Sequence, residues 1–505
     1  MLGSSVATGA TSRSSWLVWL LLGALLTAAA AIRFQGLDDP LVAFHPLRHY
    51  RSALIARACF YEATPSTPKW ALVIAQANRD IQQAGEPPVM ERLACTAYRA
   101  LGREDLRIPK VLSSLCWLLA SIATYLLGRR LISSSGGLVA AAICLFAPYA
   151  ILATRTFQPD PLMTASAMWA VLAAVHWHDR ATRGRLILTA TLAGAALFIK
   201  PMSIFVILPA MLATVMTQRA SPERRPVREI FWMAALTLIA PGLYYGASLL
   251  FGSLAHDQLQ TRFVPSLLVT EFFWTGLARQ FERVFGWPLV VAAVAGTVFA
   301  VQPLLRRLLA AIWLGYGAFA VAFTYHVPTH DYYHLPFIPI AALAAAAVVD
   351  RARSALRLNA LTSIAVATAL AVLLAWYGAI ASSPRLRRAD STALVADYQR
   401  IGAVTNHDGR IIFLDPQYGY PLMYHAEVAG DAWPGIGDLE AERLDGRAIR
   451  SAIDRLHDDY VRPHYFVVSD LASFKAQPEL MALLAAEGTL IEETSRFRIY
   501  KLTVQ

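Results

Sequence analysis

Charge is scarce in this 505-residue chain: 16% of residues are Asp, Glu, Lys or Arg, against 56% apolar. That balance excludes a disordered chain and a coiled coil. Lysine is rarer still, at positions 69, 110, 200, 475 and 501 only, so arginine carries nearly all of the net charge of +10. There is no basic tail and no basic stripe interleaved with aromatics, which argues against nucleic-acid binding. The four cysteines, at 59, 95, 116 and 144, form no CxxC pair. That spacing argues against a thiolate metal cluster and a disulfide-stapled small domain.

What is present is apolar sequence in blocks. Residues 131–154, 186–199, 201–218, 286–305, 332–349 and 358–384 carry no charge at all. A run of about 18 apolar residues can cross a hydrocarbon layer of roughly 30 Å. The chain therefore reads as an α-helical polytopic membrane protein. About eleven spans are expected, near 16–32, 111–128, 137–153, 161–178, 186–200, 202–218, 230–251, 287–304, 309–325, 335–349 and 359–380. With residue 1 cytoplasmic, the short arginine clusters all fall on one side: Arg13; Arg129 and Arg130; Arg180, Arg183 and Arg185; Arg219, Arg224, Arg225 and Arg228; Arg306 and Arg307; Arg351, Arg353 and Arg357. That is the positive-inside asymmetry, and an odd count puts the C-terminus outside. The first span also has the small-residue end of a signal peptide; a retained helix is the favoured reading, because the later segments complete a bundle.

From about residue 384 the composition turns mixed. Strands are expected at Ile411–Leu414, Tyr465–Val468, Leu490–Ile491 and Phe497–Leu502, with helices at 392–405, 445–458 and 473–487. This alternation implies a small α/β domain, and no GxGxxG, P-loop or GxSxG occurs in it. The expected division is a membrane domain over 1–383, with a first outer loop at 33–110, and a soluble domain over 384–505. In the loop, segments 47–61, 67–83 and 88–101 have the amphipathic pattern of helices lying in the membrane interface, arginines toward lipid head groups. Cys59 and Cys95 fall there, where oxidation can occur.

The residues able to carry chemistry gather on the outer side. Asp38 and Asp39 follow the first span closely, where partial desolvation suits a general base; a polar turn before Pro40 is the plain alternative. Arg155 and Asp160 share a tight outer loop, although Asp followed by Pro also fits a helix start. Lys200 interrupts apolar sequence, which points to a site with a nearby anion, against a snorkelling role at a helix end. The loop His326–His334 collects three histidines with Asp331, Tyr332 and Tyr333. It could hold a metal, a phosphate or a sugar. Together these suit group transfer from a lipid phosphate: basic residues stabilise the phosphate as a leaving group while a carboxylate takes the acceptor's proton.

The long first outer loop with its Asp-rich start, the RxFxPDPLM segment at 155–163 and the HDYYHLP segment at 330–336 resemble the polyprenyl-phosphate-sugar glycosyltransferases of the GT-C fold. The nearest groups are the protein O-mannosyltransferases and the bacterial aminoarabinose-type lipid glycosyltransferases. The resemblance covers about residues 16–380. It implies an enzyme of the bacterial cytoplasmic membrane, with its N-terminus cytoplasmic and its C-terminal domain periplasmic. Such an enzyme transfers a sugar with inversion from a polyprenyl-phosphate carrier to a glycan, lipid or protein acceptor. The base falls on Asp39 or Asp38, with Glu86 or Glu91 as substitutes, and the second-loop acid on Asp160. Arg48, Arg51, Arg57, Arg155 and Lys200 are the carrier-phosphate candidates, joined by His330, Asp331 and Tyr332. In the C-terminal domain Tyr418, Tyr420, Tyr424, His425 and Trp433 could face the acceptor. A divalent metal serves some branches of the fold and not others, so the cofactor stays open. Competing readings are a lipid or sugar flippase, for which no internal repeat is visible, and a non-catalytic scaffold.

Overall fold

The computed structural model describes residues 5–40, 42, 44–82, 85–217, 226–250, 263–386, 391–444 and 450–503. Arg219, Arg224, Arg225, Arg387 and Arg388 lie outside the described residues, as do the first five positions of the helix expected at 445–458. The chain folds into two compact units, and sequence order does not separate them. One comprises 1–37, 84–89 and 109–386; the other comprises 38–83, 90–108 and 387–505.

The first unit is built mainly of helices joined by turns, and helix accounts for most of the described part of each expected span. Among the described residues, six helices are long and apolar enough to cross a membrane by themselves: Trp16–Arg33, Arg107–Leu131, Val227–Leu250, Pro303–Ala322, Asp331–Ala355 and Ala360–Pro384. A seventh arises if Glu271–Phe285 and Trp287–Phe299, bent by 92° at Gly286, act as one. The difference from the expected count has local causes. Segment 137–153 breaks at Ala147–Pro148 into Ser134–Phe146 and Pro148–Ala153, because Pro148 has no N–H to continue the ladder and starts a new helix well. Segments 186–200 and 202–218 are the shorter helices Arg183–Ile199 and Ile204–Met216, joined through Lys200 and the turn Pro201–Ser203. The alanine-rich helix Ile338–Ala355 buries Ala341, Ala342 and Ala344 through Ala347. Small side chains let neighbouring backbones approach closely where apolar burial alone gives no drive to associate.

The second unit holds a five-stranded sheet in the order β2-β1-β3-β5-β4, where β1 is Ile411–Leu414, β2 Gly430–Ala432, β3 Tyr465–Val468, β4 Gly488–Glu493 and β5 Arg498–Leu502. β1 runs parallel to β2 and β3, while β5 is antiparallel to β3 and β4. Central β1 is buried at every position, which matches its continuous Ile-Ile-Phe-Leu run. The expected helix at 392–405 is Ser391–Val404, and the one at 473–487 is divided into Leu471–Lys475 and Pro478–Glu487. β2 and the helices Tyr420–Ala426 and Ile436–Leu444 were not anticipated. Gly430 is the clue: a Cβ there would lie 1.8 Å from the Ile411 carbonyl oxygen, so only glycine lets this strand pair.

The outer-loop segments form the helices Pro46–Glu62, Lys69–Ile81 and Val89–Leu101. Their grouping differs from the expected division, because 38–83 and 90–108 pack with the C-terminal region. Tyr50 and Leu54 are fully buried; Tyr50 packs against Tyr424 at 5.2 Å and His425 at 5.0 Å. Asn78 donates to the Val428 carbonyl at 2.9 Å, and Tyr61 donates to Glu427 at 3.4 Å.

A disulfide between Cys59 and Cys95 ties two of these helices across 36 residues. Closing a loop of that length removes unfolded-state entropy equivalent to about 4 kcal/mol. The double variant Cys59→Ser/Cys95→Ser is expected to melt well below wild type in a thermal unfolding assay. Superimposed melting curves for oxidised and reduced wild type would contradict this.

Candidate active site

Asp160 opens the helix Asp160–Asp179, directly after Pro159 at the N-cap position. It is fully buried, and its carboxylate receives Lys200 Nζ at 2.9 Å and 3.1 Å. Lys200 ends the helix Arg183–Ile199 in an extended conformation, the backbone that a following proline favours. It is 1% exposed. Its ammonium also lies 3.9 Å from Glu86 and 5.2 Å from the ring centres of Tyr332 and Tyr333. Two charges taken out of water this far are tolerated only because each supplies the other's partner, and the two tyrosine faces add cation–π attraction.

Asp331, 2% exposed, accepts from the Tyr149 hydroxyl at 2.8 Å and faces Arg283 Nε at 2.9 Å. Arg283 is half-exposed, so its guanidinium can meet a second anion while anchored to Asp331. Sequence reasoning missed Arg283. A signal existed: in the expected topology it lies in an outer loop, against the positive-inside pattern.

The histidine-rich loop divides. His334 is buried between the Tyr316 hydroxyl, 2.8 Å from Nδ1, and the Val327 carbonyl, 2.9 Å from Nε2. The carbonyl can only accept, so Nε2 carries the proton and Nδ1 accepts from Tyr316. His326 and His330 stack at 5.2 Å, and His330 Nδ1 lies 2.7 Å from Thr329 Oγ1. Among the described residues no group of three or more His, Cys, Asp or Glu is disposed to hold a metal ion.

Arg155 is 2% exposed, and its guanidinium donates to the backbone carbonyls of Gln35 and Gly36, the latter at 3.1 Å. The first unit thus brings Asp160, Lys200 and Tyr332 together, with Asp331 next in sequence, and holds Arg155 against residues 35 and 36.

The other candidates belong to the second unit. Asp38 and Asp39 are exposed, and Asp38 lies 3.5 Å from Arg107, which is itself held by Asp105 at 2.6 Å. Arg57 is buried in a tight network. It pairs with Glu104 at 2.9 Å, donates to the Tyr424 carbonyl at 2.6 Å and lies 3.7 Å from the Tyr424 ring centre. The Tyr424 hydroxyl donates to the same Glu104 at 2.5 Å. Burial, and secondarily Arg57, push the His425 imidazole down to about 3; neutral at ordinary pH, it lies 2.8 Å from the Tyr50 hydroxyl. Arg51 and Arg48 lie close enough to Tyr420 to oppose the upward push that burial gives its hydroxyl. Trp433 is buried and donates to Gln477 at 3.0 Å, while Tyr418 is half-exposed and donates to Asp438 at 2.9 Å.

Residues 86–245 match the family model for dolichyl-phosphate-mannose-protein mannosyltransferase. Against curated proteins nothing matches. Among solved structures, ArnT from Cupriavidus metallidurans bound to undecaprenyl phosphate is similar at a TM-score of 0.61 and 13% identity, over 96% of this chain and 98% of that one. The apo state of the same protein is similar at 0.59 and 14% identity, over 98% of each chain. The Archaeoglobus fulgidus oligosaccharyltransferase, in complex with zinc and sulfate, is similar at 0.54 and 12% identity, over 95% of this chain and 73% of its own. The chain is a multi-pass membrane protein with the GT-C fold, as the resemblance of its residues implied.

The buried pair makes a sharp energetic prediction. Lys200→Met leaves the Asp160 carboxylate uncompensated and is expected to cost about 3–5 kcal/mol. Asp160→Asn/Lys200→Met, which removes both charges, is expected to recover most of that loss. Thermal unfolding in detergent checks this; a double variant as unstable as the single one would contradict it.

Proposed function

We propose that the protein is an integral membrane glycosyltransferase that moves a sugar from a polyprenyl-phosphate carrier to a hydroxyl-bearing glycan, lipid or protein acceptor. The observation that carries this reading is the set of basic and acidic side chains in the helical unit: a buried lysine between Asp160 and Glu86 under two tyrosine rings, with a half-exposed Arg283 on Asp331. This set occurs in a GT-C fold that ArnT, crystallised with undecaprenyl phosphate, shares.

The roles follow from charge and exposure. Asp39 accepts the proton of the acceptor hydroxyl; Asp38, held by Arg107, is the second choice. The freed oxygen attacks the anomeric carbon as the bond from that carbon to the phosphate oxygen breaks. The phosphate leaves with the electron pair and the configuration inverts. Arg283 meets the developing phosphate charge, with Lys200, Arg48 and Arg51 as further cations for it. Asp160 holds Lys200 in place. His330 and Tyr332 line the approach of the sugar. Arg57, committed to Glu104 and Tyr424, acts by holding its own unit together. We place the enzyme in the bacterial cytoplasmic membrane, with residue 1 cytoplasmic and the C-terminal domain periplasmic.

Purified protein supplied with a panel of undecaprenyl-phosphate sugars and a mixed acceptor extract is expected to transfer label from at least one donor. Asp39→Asn is expected to lower kcat about 10²–10⁴-fold, the usual contribution of a general base. Equal transfer by wild type and Asp39→Asn would move the base to Asp38. No transfer from any donor by folded protein would favour a flippase or a scaffold.

A further inference from the structure

The most unusual polar arrangement outside the carboxylate–lysine pair lies where the first helix ends. Three consecutive backbone carbonyls there accept hydrogen bonds from two buried cations. Arg155 donates to the Gln35 and Gly36 carbonyls, and Lys110 Nζ donates to the Leu37 carbonyl at 2.6 Å. Both cations are 2% exposed. In extended chain successive carbonyls point to opposite sides. Here Gly36 adopts a left-handed φ of +58°, a conformation that a residue with a Cβ adopts only at an energetic cost. That turn presents all three oxygens to the cations.

The grip is reciprocal. Arg33, fully buried, reaches back to Thr154 Oγ1 at 2.9 Å and to the Leu145 carbonyl at 2.8 Å. One turn beyond Lys110, Ser113 donates to the Thr156 carbonyl at 2.7 Å and Ser114 to the Thr154 carbonyl at 3.3 Å. Residues 33–37, 110–114 and 154–156 are thereby locked to one another. Lys110 and Arg155 donate to main-chain oxygens, and charge-assisted bonds of this kind are stronger and more directional than neutral ones.

We propose that Lys110, Arg155 and Gly36 are positioning residues that fix the chain at 35–37 and so set the point from which Asp38 and Asp39 emerge. This rests on the reading of Asp39 as the base, and it gives Arg155 a role different from carrier-phosphate binding. The device has a clear logic: a base on an exposed segment needs a rigid root if its carboxylate is to meet the acceptor reproducibly. A displacement of about 1 Å can cost on the order of a hundredfold in rate.

The test uses full-length protein in nanodiscs and the variants Lys110→Met, Arg155→Met, Arg155→Lys and Gly36→Ala. Gly36→Ala disturbs the turn while keeping every cation. Amide hydrogen exchange of the 34–40 segment is expected to speed up about tenfold or more in Lys110→Met, Arg155→Met and Gly36→Ala. In the same variants kcat is expected to fall at least ~10-fold, while Kd for undecaprenyl phosphate stays within about twofold of wild type. Arg155→Lys, keeping one donor, is expected to restore part of both. A Kd raised about tenfold in Arg155→Met with unchanged kcat would overturn the proposal in favour of phosphate binding. Unchanged exchange in all variants would overturn the grip itself. If Lys110→Met fails to fold, Gly36→Ala and Arg155→Lys carry the same comparison. A wild type that turns over no donor would refute the functional reading, and the exchange measurement would still decide whether the grip exists.

Discussion

A lysine ammonium and an aspartate carboxylate, both removed from water, face each other at 2.9 Å in the helical unit. Neither could be buried alone at acceptable cost. Their pairing requires the helix that begins at Asp160 and the helix that ends before Lys200 to meet at one level. Lys200 in turn touches Glu86, at the start of the returning chain, and the tyrosine pair of the 331–337 turn. One ion pair therefore fixes the relative heights of four segments that sequence separates widely. Arg283 on Asp331 extends the same logic to a fifth. Hydrocarbon surroundings provide little drive for helices to choose a register through apolar contact, so polar pairs of this kind carry much of that choice.

Much of this was legible beforehand, for a physical reason. A charge inside an apolar run is costly, so Lys200 announced itself, and its partner had to be an anion at the same depth. The apolar blocks marked each helix of the first unit, since hydrophobic length is a local property. Their exact breaks were less readable: Pro148 divides a segment whose composition alone looks continuous. The continuous apolar runs of β1 and β3 were found, whereas β2, a Gly-Asp-Ala edge strand, has no strand signal of its own and exists through pairing with β1.

What sequence could not show is long-range packing. The amphipathic helices of the first outer loop have an apolar stripe, and a stripe does not say what covers it. In the structure Tyr50 meets Tyr424 and His425, and Arg57 meets Tyr424 across 367 residues of chain. The same holds for Arg155. Its residue type suggested an anion, and its partners include main-chain oxygens that no side-chain pattern reveals. The histidine loop shows a related effect: three histidines close in sequence became a buried His334 and a stacked His326–His330 pair, each committed to different neighbours.

The account's central claim is that the sugar's bond to the carrier phosphate breaks on the sugar side, leaving the lipid phosphate intact. The most direct measurement uses undecaprenyl-phosphate sugars carrying ¹⁸O at the oxygen that bridges the anomeric carbon and phosphorus. Purified protein and acceptor are added, and the products are resolved by mass spectrometry. The account predicts release of undecaprenyl phosphate that retains the label, together with an unlabelled glycosylated acceptor. Label found in the transferred sugar, or no release of undecaprenyl phosphate from any donor, would contradict it.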